Sequence, residues 1–256
     1  MQVRDLFDLS GKTAIVTGGG SGIGRQMAEA LAELGADLVL CARKVERCEK
    51  AAAELSELGV KAIGLACDVR DPEQVQAVVD RTLQEFGKID VLLNNAGATW
   101  GAPAEEVPLE GWHKVVDVNL NGTFYFSQAV GRHMIERGEG GSIVSTASVA
   151  GLRAGMEGIG TSGYHATKAA VIMLTRALAG EWAKHNIRVN AIAPGWFPSD
   201  MSKWVLENMG DQMRATIPLG RFGGPDDLKG VIAYLASPAA AYVTGQTIAV
   251  DGGQTV

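Results

Sequence analysis

Asn119, Ser148, Tyr164 and Lys168 are, in chain order, the residue types that carbonyl–alcohol redox chemistry calls for. Hydride delivered to a ketone leaves an alkoxide-like oxygen that must be protonated as its charge develops. Tyr164 is the candidate acid. A free phenol titrates at about 10 and exchanges protons poorly at neutral pH, so its anion has to be favoured. Lys168, four residues further on, falls on the same face of a helix, where its ammonium favours the phenolate. Ser148, after a strand, can donate its hydroxyl to the substrate oxygen.

A glycine turn lies upstream of these residues. Thr17-Gly18-Gly19-Gly20-Ser21-Gly22-Ile23-Gly24 follows a predicted strand and opens a predicted helix. Glycines at 18, 22 and 24 let the backbone approach a pyrophosphate and aim helix-terminal amides at it. An acid at the end of the second strand would accept from the ribose hydroxyls of NAD, whereas a 2′-phosphate needs a cation there. That strand ends Cys41-Ala42-Arg43-Lys44, without a carboxylate, and Arg43 offers a planar fork suited to phosphate. NADP is therefore expected over NAD. Asp68, ending the third strand, is placed to accept from the adenine amino group.

These groups need a scaffold, and the pattern supplies one. Short β-branched runs alternate with helical patterns from end to end, the mark of a parallel sheet covered on both faces. The expected fold is α/β, a single doubly wound Rossmann domain over 1–256 with a seven-stranded, mainly parallel sheet. Strands are expected at 13–17, 37–41, 62–66, 90–93, 142–146, 188–192 and 247–250. Helices are expected at about 22–34, 45–58, from the Asp71 cap and Pro72 onward, at 109–137 and at 163–185. A weak helical pattern from Met201 to Asp227 suggests a substrate lid at about 196–225. The stretch Gly151 to Gly163, with glycines at 151, 155, 158, 160 and 163, reads as a flexible loop beside the site.

Composition narrows the partners. With 46% hydrophobic and 20% charged residues and no apolar run of membrane-spanning length, the chain reads as soluble and globular. A formal net charge of -6 with no basic block argues against nucleic acid. Met1 to Ser10 carries acids and no apolar stretch, so no secretory signal is expected and the location reads as cytoplasmic. Cys41, Cys48 and Cys67 read as reduced packing residues. His113, His133, His165 and His185 lack ligand-like spacing, so no metal is expected. His165 beside Tyr164 reads as a surface or packing residue, because adjacent helical side chains point apart.

The chain resembles the short-chain dehydrogenase/reductase family over essentially its full length. The resemblance rests on Thr17-Gly18-x-x-x-Gly22-x-Gly24, Asp68, Asn94-Asn95-Ala96-Gly97, Asn119, Ser148, Tyr164-x-x-x-Lys168 and Pro194-Gly195. It implies that Asn119 holds a helix distortion and a water linking Lys168 to solvent, and that Lys168 also binds the nicotinamide ribose. It further implies a nucleotide lined by Gly18, Ser21, Gly22, Ile23, Gly24, Arg43, Asp68, Val69, Asn95, Ala96, Gly97, Tyr164, Lys168, Pro194 and Gly195, with Ser199 meeting the carboxamide. The family's usual assembly, a homotetramer, is expected; Ile248 and Val250 fit either its interface or the sheet core. Two departures stand out. Ser21 occupies the place where NADP-preferring relatives often carry arginine or lysine, and the interval from Ser148 to Tyr164 exceeds the family's commonest one.

Trp100, Trp196, Phe197 and Trp204 fall on segments expected to flank the nicotinamide, suggesting an aromatic mouth. Asn-Asn-Ala-Gly-x-x-Trp-Gly with Ala-Pro-Gly-x-Phe-Pro-Ser resembles a subgroup of NADPH-dependent 3-oxoacyl reductases. The leading expectation is thus reduction of a ketone, with 3-oxoacyl thioesters as substrate class. An NAD-dependent sugar or polyol dehydrogenase is the first alternative, and a catalytically silent nucleotide sensor the second.

Overall fold

A computed structural model describes residues 2–154 and 160–256. Of the glycine-rich loop, Gly155 and Gly158 lie outside the described residues. Strands β1 (Thr13–Thr17), β2 (Asp37–Ala42), β3 (Ala62–Ala66), β4 (Val91–Asn94), β5 (Gly141–Thr146), β6 (Ile187–Pro194) and β7 (Thr247–Val250) form one sheet. Its order is β3-β2-β1-β4-β5-β6-β7. Every pairing is parallel rather than mainly so. Strand order reverses between β1 and β4. In open parallel sheets the crevice beyond the carboxyl ends at such a reversal is where ligands bind, and both the glycine turn and Asn94-Asn95-Ala96-Gly97 emerge there.

The helices are α1 (Gly22–Glu33), α2 (Val45–Ser56), α3 (Pro72–Phe86), α4 (Leu109–Val116), α5 (Gly122–Arg137), α6 (Ser162–Trp182), α7 (Lys203–Ala215) and α8 (Lys229–Ala236). Side chains alternate across the strands and divide the core in two. Ala14, Val16, Leu38, Leu40 and Leu93 face Met27 and Leu31 of α1, Leu55 of α2, and Ile232 and Leu235 of α8. Ile15, Val39, Leu92 and Ile143 face Val75 and Val79 of α3, Phe126 and Val130 of α5, and Leu178 of α6. Each of these side chains larger than alanine contributes roughly 1.5–3 kcal/mol on burial. The three cysteines are free and buried, and Ile248 and Val250 pack against the first core. The Cys67 thiol beside Cys41, together with burial, pushes Cys41 well up, and burial pushes Cys48 up to about 11. Neither is poised as a thiolate.

Local chemistry explains most boundaries. The Asp71 carboxylate accepts from the amides of Glu73 and Gln74, at 2.9 and 3.3 Å, and starts α3 behind Pro72. The pattern expected as one helix over 109–137 is instead α4, a π-turn from Asp117 to Asn121, and α5. Helix α8 is absent from the sequence-based expectation. Its apolar stripe, Leu228, Ile232 and Leu235, is fully buried, but Gly230 inside it and Pro225 and Pro238 around it obscure the period. No helix among the described residues is long and apolar enough to cross a membrane.

Candidate active site

Asn119 is fully buried in the π-turn. Its Oδ1 accepts from the Ala98 amide at 2.7 Å, while its Nδ2 donates to the Ala98 carbonyl and to Thr167 Oγ1, both at 3.0 Å. The side chain thus replaces hydrogen bonds that the wider turn gives up, and Thr123 Oγ1 donates to the Asn119 carbonyl at 2.7 Å. The distortion implied at this residue is present. It binds the segment after β4 to α6, the helix that carries Tyr164 and Lys168.

Lys168 is buried, and its Nζ donates to the Thr146 carbonyl at 2.6 Å. It stands 5.5 Å from the centre of the Tyr164 ring. Burial without a carboxylate partner brings Lys168 down to about 8. Tyr164 moves the opposite way from the expectation that the ammonium would favour its anion. Burial pushes the phenol above its ordinary value, and the Ser148 hydroxyl is the group that offsets this. Ser148 begins the short turn over Val149–Gly151, where its Oγ accepts from the Ala150 amide at 3.1 Å. Tyr164 and Ser148 line one cleft, and the buried ammonium of Lys168 lies behind the Tyr164 ring.

On the nucleotide side, Gly18 and Gly22 have φ of 67° and 54°, conformations that favour glycine. A Cβ at Gly24 would stand 2.3 Å from Asn95 Nδ2 and 2.4 Å from the Gly18 oxygen. Asn95 braces the turn by donating to the carbonyls of Thr17 and Gly18, at 3.0 and 3.3 Å, while Thr17 Oγ1 accepts from the amides of Asn95 and Ala96. Gly97 lies beside Asn119, its Cβ position 3.7 Å from Oδ1. The Ser21 hydroxyl makes no cap bond at the start of α1. A Cβ at Gly22 would face Ser199 across the cleft at 3.5 Å, and Ile23, Pro194, Gly195 and Ser199 all line it. Bare backbone at a helix N-terminus, opening on a cleft, fits a dinucleotide pyrophosphate.

Arg43 is exposed at the end of β2, with no carboxylate on that strand end. Asp68 is less free than its position suggested. Arg70 grips its carboxylate, with Nε 3.0 and 3.1 Å from the two oxygens and Nη2 at 2.6 Å from one, and this pair holds the acid below the usual carboxylate range. The Val69 side chain packs in the core against Gly122, which leaves only its backbone for a ligand. Arg47 at the start of α2 reaches Asp200, ahead of α7, at 2.8 Å.

The cleft has a volume of about 220 Å³. The aromatic mouth is half as expected. Trp196 and Phe197 line it together with Met201 and Val205, whereas Trp100 packs against Gly111 beneath Lys114 and Trp204 stands in solvent. His165 also lines the cleft rather than an outer surface, correcting the packing expectation. Its Nδ1 lies 2.9 Å from the Thr161 carbonyl, which can only accept, so Nδ1 carries a proton and Nε2 is the ring's remaining nitrogen. Sequence reasoning missed Arg153, Thr161 and Gln254, which line the cleft as well; Gln254 sits too far along the chain for spacing to signal it.

A fully parallel sheet with its crevice at the strand-order reversal, a glycine turn on one side and a Ser-Tyr-Lys cluster on the other, is the architecture of one family. The chain belongs to the short-chain dehydrogenases/reductases and is a ketone/alcohol oxidoreductase of that kind. Residues 18–255 match a family model described as enoyl-(acyl carrier protein) reductase. The 2-dehydro-3-deoxy-D-gluconate 5-dehydrogenase of Escherichia coli K12 is 40% identical over 253 residues, covering 98% of each chain. The 3-oxoacyl-(acyl-carrier-protein) reductase of Thermotoga maritima is 39% identical over 248 residues, 97% of this chain and 99% of that one. Among solved structures, a gluconate 5-dehydrogenase from Burkholderia cenocepacia J2315, in complex with NADP and tartrate, superposes with a TM-score of 0.94 at 38% identity, covering 99% of both chains.

Proposed function

We propose that this protein interconverts a secondary alcohol and a ketone on a short, sugar-derived substrate, using NADP. The observation that carries this is the cleft: beside Tyr164 and Ser148 it presents Thr161, His165, Arg153 and Gln254, a set suited to a polyhydroxylated molecule. At about 220 Å³ it lies below the roughly 300–1,000 Å³ of drug-sized pockets. The sugar dehydrogenases among its relatives favour this reading over the 3-oxoacyl thioester that the aromatic and Asn-Asn-Ala-Gly motifs suggested.

A nicotinamide cofactor held over the glycine turn from Gly18 to Gly24 would supply the hydride, or accept it in the reverse direction. Tyr164, kept protonated by burial, gives its proton to the ketone oxygen as charge develops there and recovers it from the alcohol in oxidation. Ser148 donates to the same oxygen and orients it. Lys168 sets a positive potential behind the phenol, and Asn119 fixes the backbone that holds α6 against the cleft. Arg43 takes the 2′-phosphate. The segment 196–225, carrying Met201 and Val205 over the cleft, serves as the lid.

The test compares initial rates on a panel of keto-sugars, keto-sugar acids and 3-oxoacyl thioesters with NADPH and with NADH. A sugar-type ketone with NADPH is expected to be the best pair. Faster thioester reduction would restore the acyl reading. Tight NADPH binding with no consumption on any ketone would instead indicate a nucleotide sensor.

A further inference from the structure

Arg153, rooted in the turn that follows Ser148, brings a guanidinium to the cleft wall, and no Asp or Glu lines that cleft among the described residues. No carboxylate among the described residues pairs with it. The backbone amide of Arg153 donates to the Val149 carbonyl at 3.1 Å, which seats the residue directly beside the Ser148 turn. What holds its side chain comes from the far end of the sequence. Gln254 is 4% exposed, and with its amide oxygen turned inward that oxygen accepts from Arg153 Nη2 at 3.1 Å, Trp196 Nε1 at 3.2 Å and Thr216 Oγ1 at 3.0 Å. Indole and guanidinium nitrogens can only donate, so Oε1 rather than Nε2 must face them.

A guanidinium has five N–H donors, and Gln254 takes one. The remaining fork faces a cleft whose other lining groups are neutral hydroxyls, an imidazole and apolar side chains. The cofactor's phosphates do not need it, because the glycine turn from Gly18 to Gly24 and Arg43 are on the nucleotide side. In a chain of net charge -6, this guanidinium, with no carboxylate lining its cleft among the described residues, attracts an anion that the rest of the molecule repels.

We propose that Arg153, positioned by Gln254, anchors a carboxylate of the substrate, so that the enzyme acts on a sugar acid in preference to the corresponding neutral polyol. This rests on the sugar-type reading above and narrows it. Arg153 is the specificity-determining contact and Gln254 its positioning residue.

The experiment compares kcat/KM for D-gluconate with that for D-glucitol, using NADP, in wild type, Arg153→Gln, Arg153→Lys, Gln254→Ala and Gln254→Glu. The acid-to-polyol ratio is expected to fall on the order of 10- to 100-fold in Arg153→Gln, by loss of a charge-assisted bond. Arg153→Lys should recover part of it. Gln254→Glu, which pairs the guanidinium internally, should collapse the ratio without removing Arg153, and Gln254→Ala should lower it through KM for the acid. An unchanged ratio in Arg153→Gln overturns the proposal while leaving the sugar reading intact. Calorimetric titration of gluconate into the NADPH-loaded enzyme separates the two ideas if wild type oxidises neither compound. Binding that disappears in Arg153→Gln upholds the anion anchor and removes the sugar reaction; no binding to wild type removes both.

Discussion

Asn119 and Thr167 meet through a 3.0 Å hydrogen bond, and Thr167 Oγ1 donates in turn to the Tyr164 carbonyl at 3.0 Å. A single threonine therefore joins the π-turn to the backbone that presents the phenol. Asn119→Ala removes this bond and both bonds to Ala98, leaving buried polar groups without partners. Such losses cost about 1–3 kcal/mol per orphaned group. The melting temperature should fall and kcat should drop more steeply than cofactor affinity; thermal denaturation and steady-state kinetics read the two.

Tyr164→Phe deletes one hydroxyl and leaves the ring that packs by Lys168. The variant should fold and bind NADPH but lose roughly 10²- to 10⁴-fold in kcat, the usual contribution of a positioned acid. Near-normal turnover would require another acid in the cleft. Because burial raises the phenol, alcohol oxidation in wild type should accelerate into the alkaline range while ketone reduction is sustained at neutral pH.

Lys168 links pH to stability in a defined direction. Below pH 8 the ammonium is charged both folded and unfolded, and its burial is a cost. Between about 8, its folded value, and 10.5, its ordinary one, only the unfolded chain holds the proton, so stability rises with pH. Relative to Lys168→Met, wild type should gain up to about 3 kcal/mol across that window, read by urea denaturation at several pH values. A flat difference would mean that the amine is not desolvated in solution.

Arg43→Ala should cut the NADP-to-NAD ratio of kcat/KM by roughly 10- to 100-fold, since it removes the exposed fork at the end of β2. An unchanged ratio would transfer phosphate recognition to another cation, with the adjoining exposed Lys44 and Arg70 on Asp68 the candidates.

Gly24→Ala places a methyl group 2.3 Å from Asn95 Nδ2. Asn95 must withdraw from the turn, so cofactor binding and melting temperature should fall together in fluorescence and thermal assays.

Much of this was legible because it is local. The glycine turn, the Tyr164–Lys168 spacing and the cap at Asp71 depend on residues within a few positions of one another, where helix and turn geometry dictate what meets. Asn119 carried a signal through its motif, although its partners Ala98 and Thr167 follow only from folding. The direction of the Tyr164 shift was misjudged because spacing reveals a neighbouring charge but not burial, and here burial wins. Arg70 lies two residues from Asp68, yet the sequence does not say that its side chain folds back on that acid. Gln254 could not be paired with Arg153 or Trp196 at all: β6 and β7 must first bring their loops together.

The ion pair between Arg47 and Asp200 straddles two regions that are remote in the chain, the start of the helix after β2 and the approach to α7. Both partners stand largely in water, where solvent and salt screen such a pair. It therefore makes a seam that ionic strength can loosen: as salt rises, the tie between the start of α2 and the approach to α7 weakens while the packed core beneath is untouched.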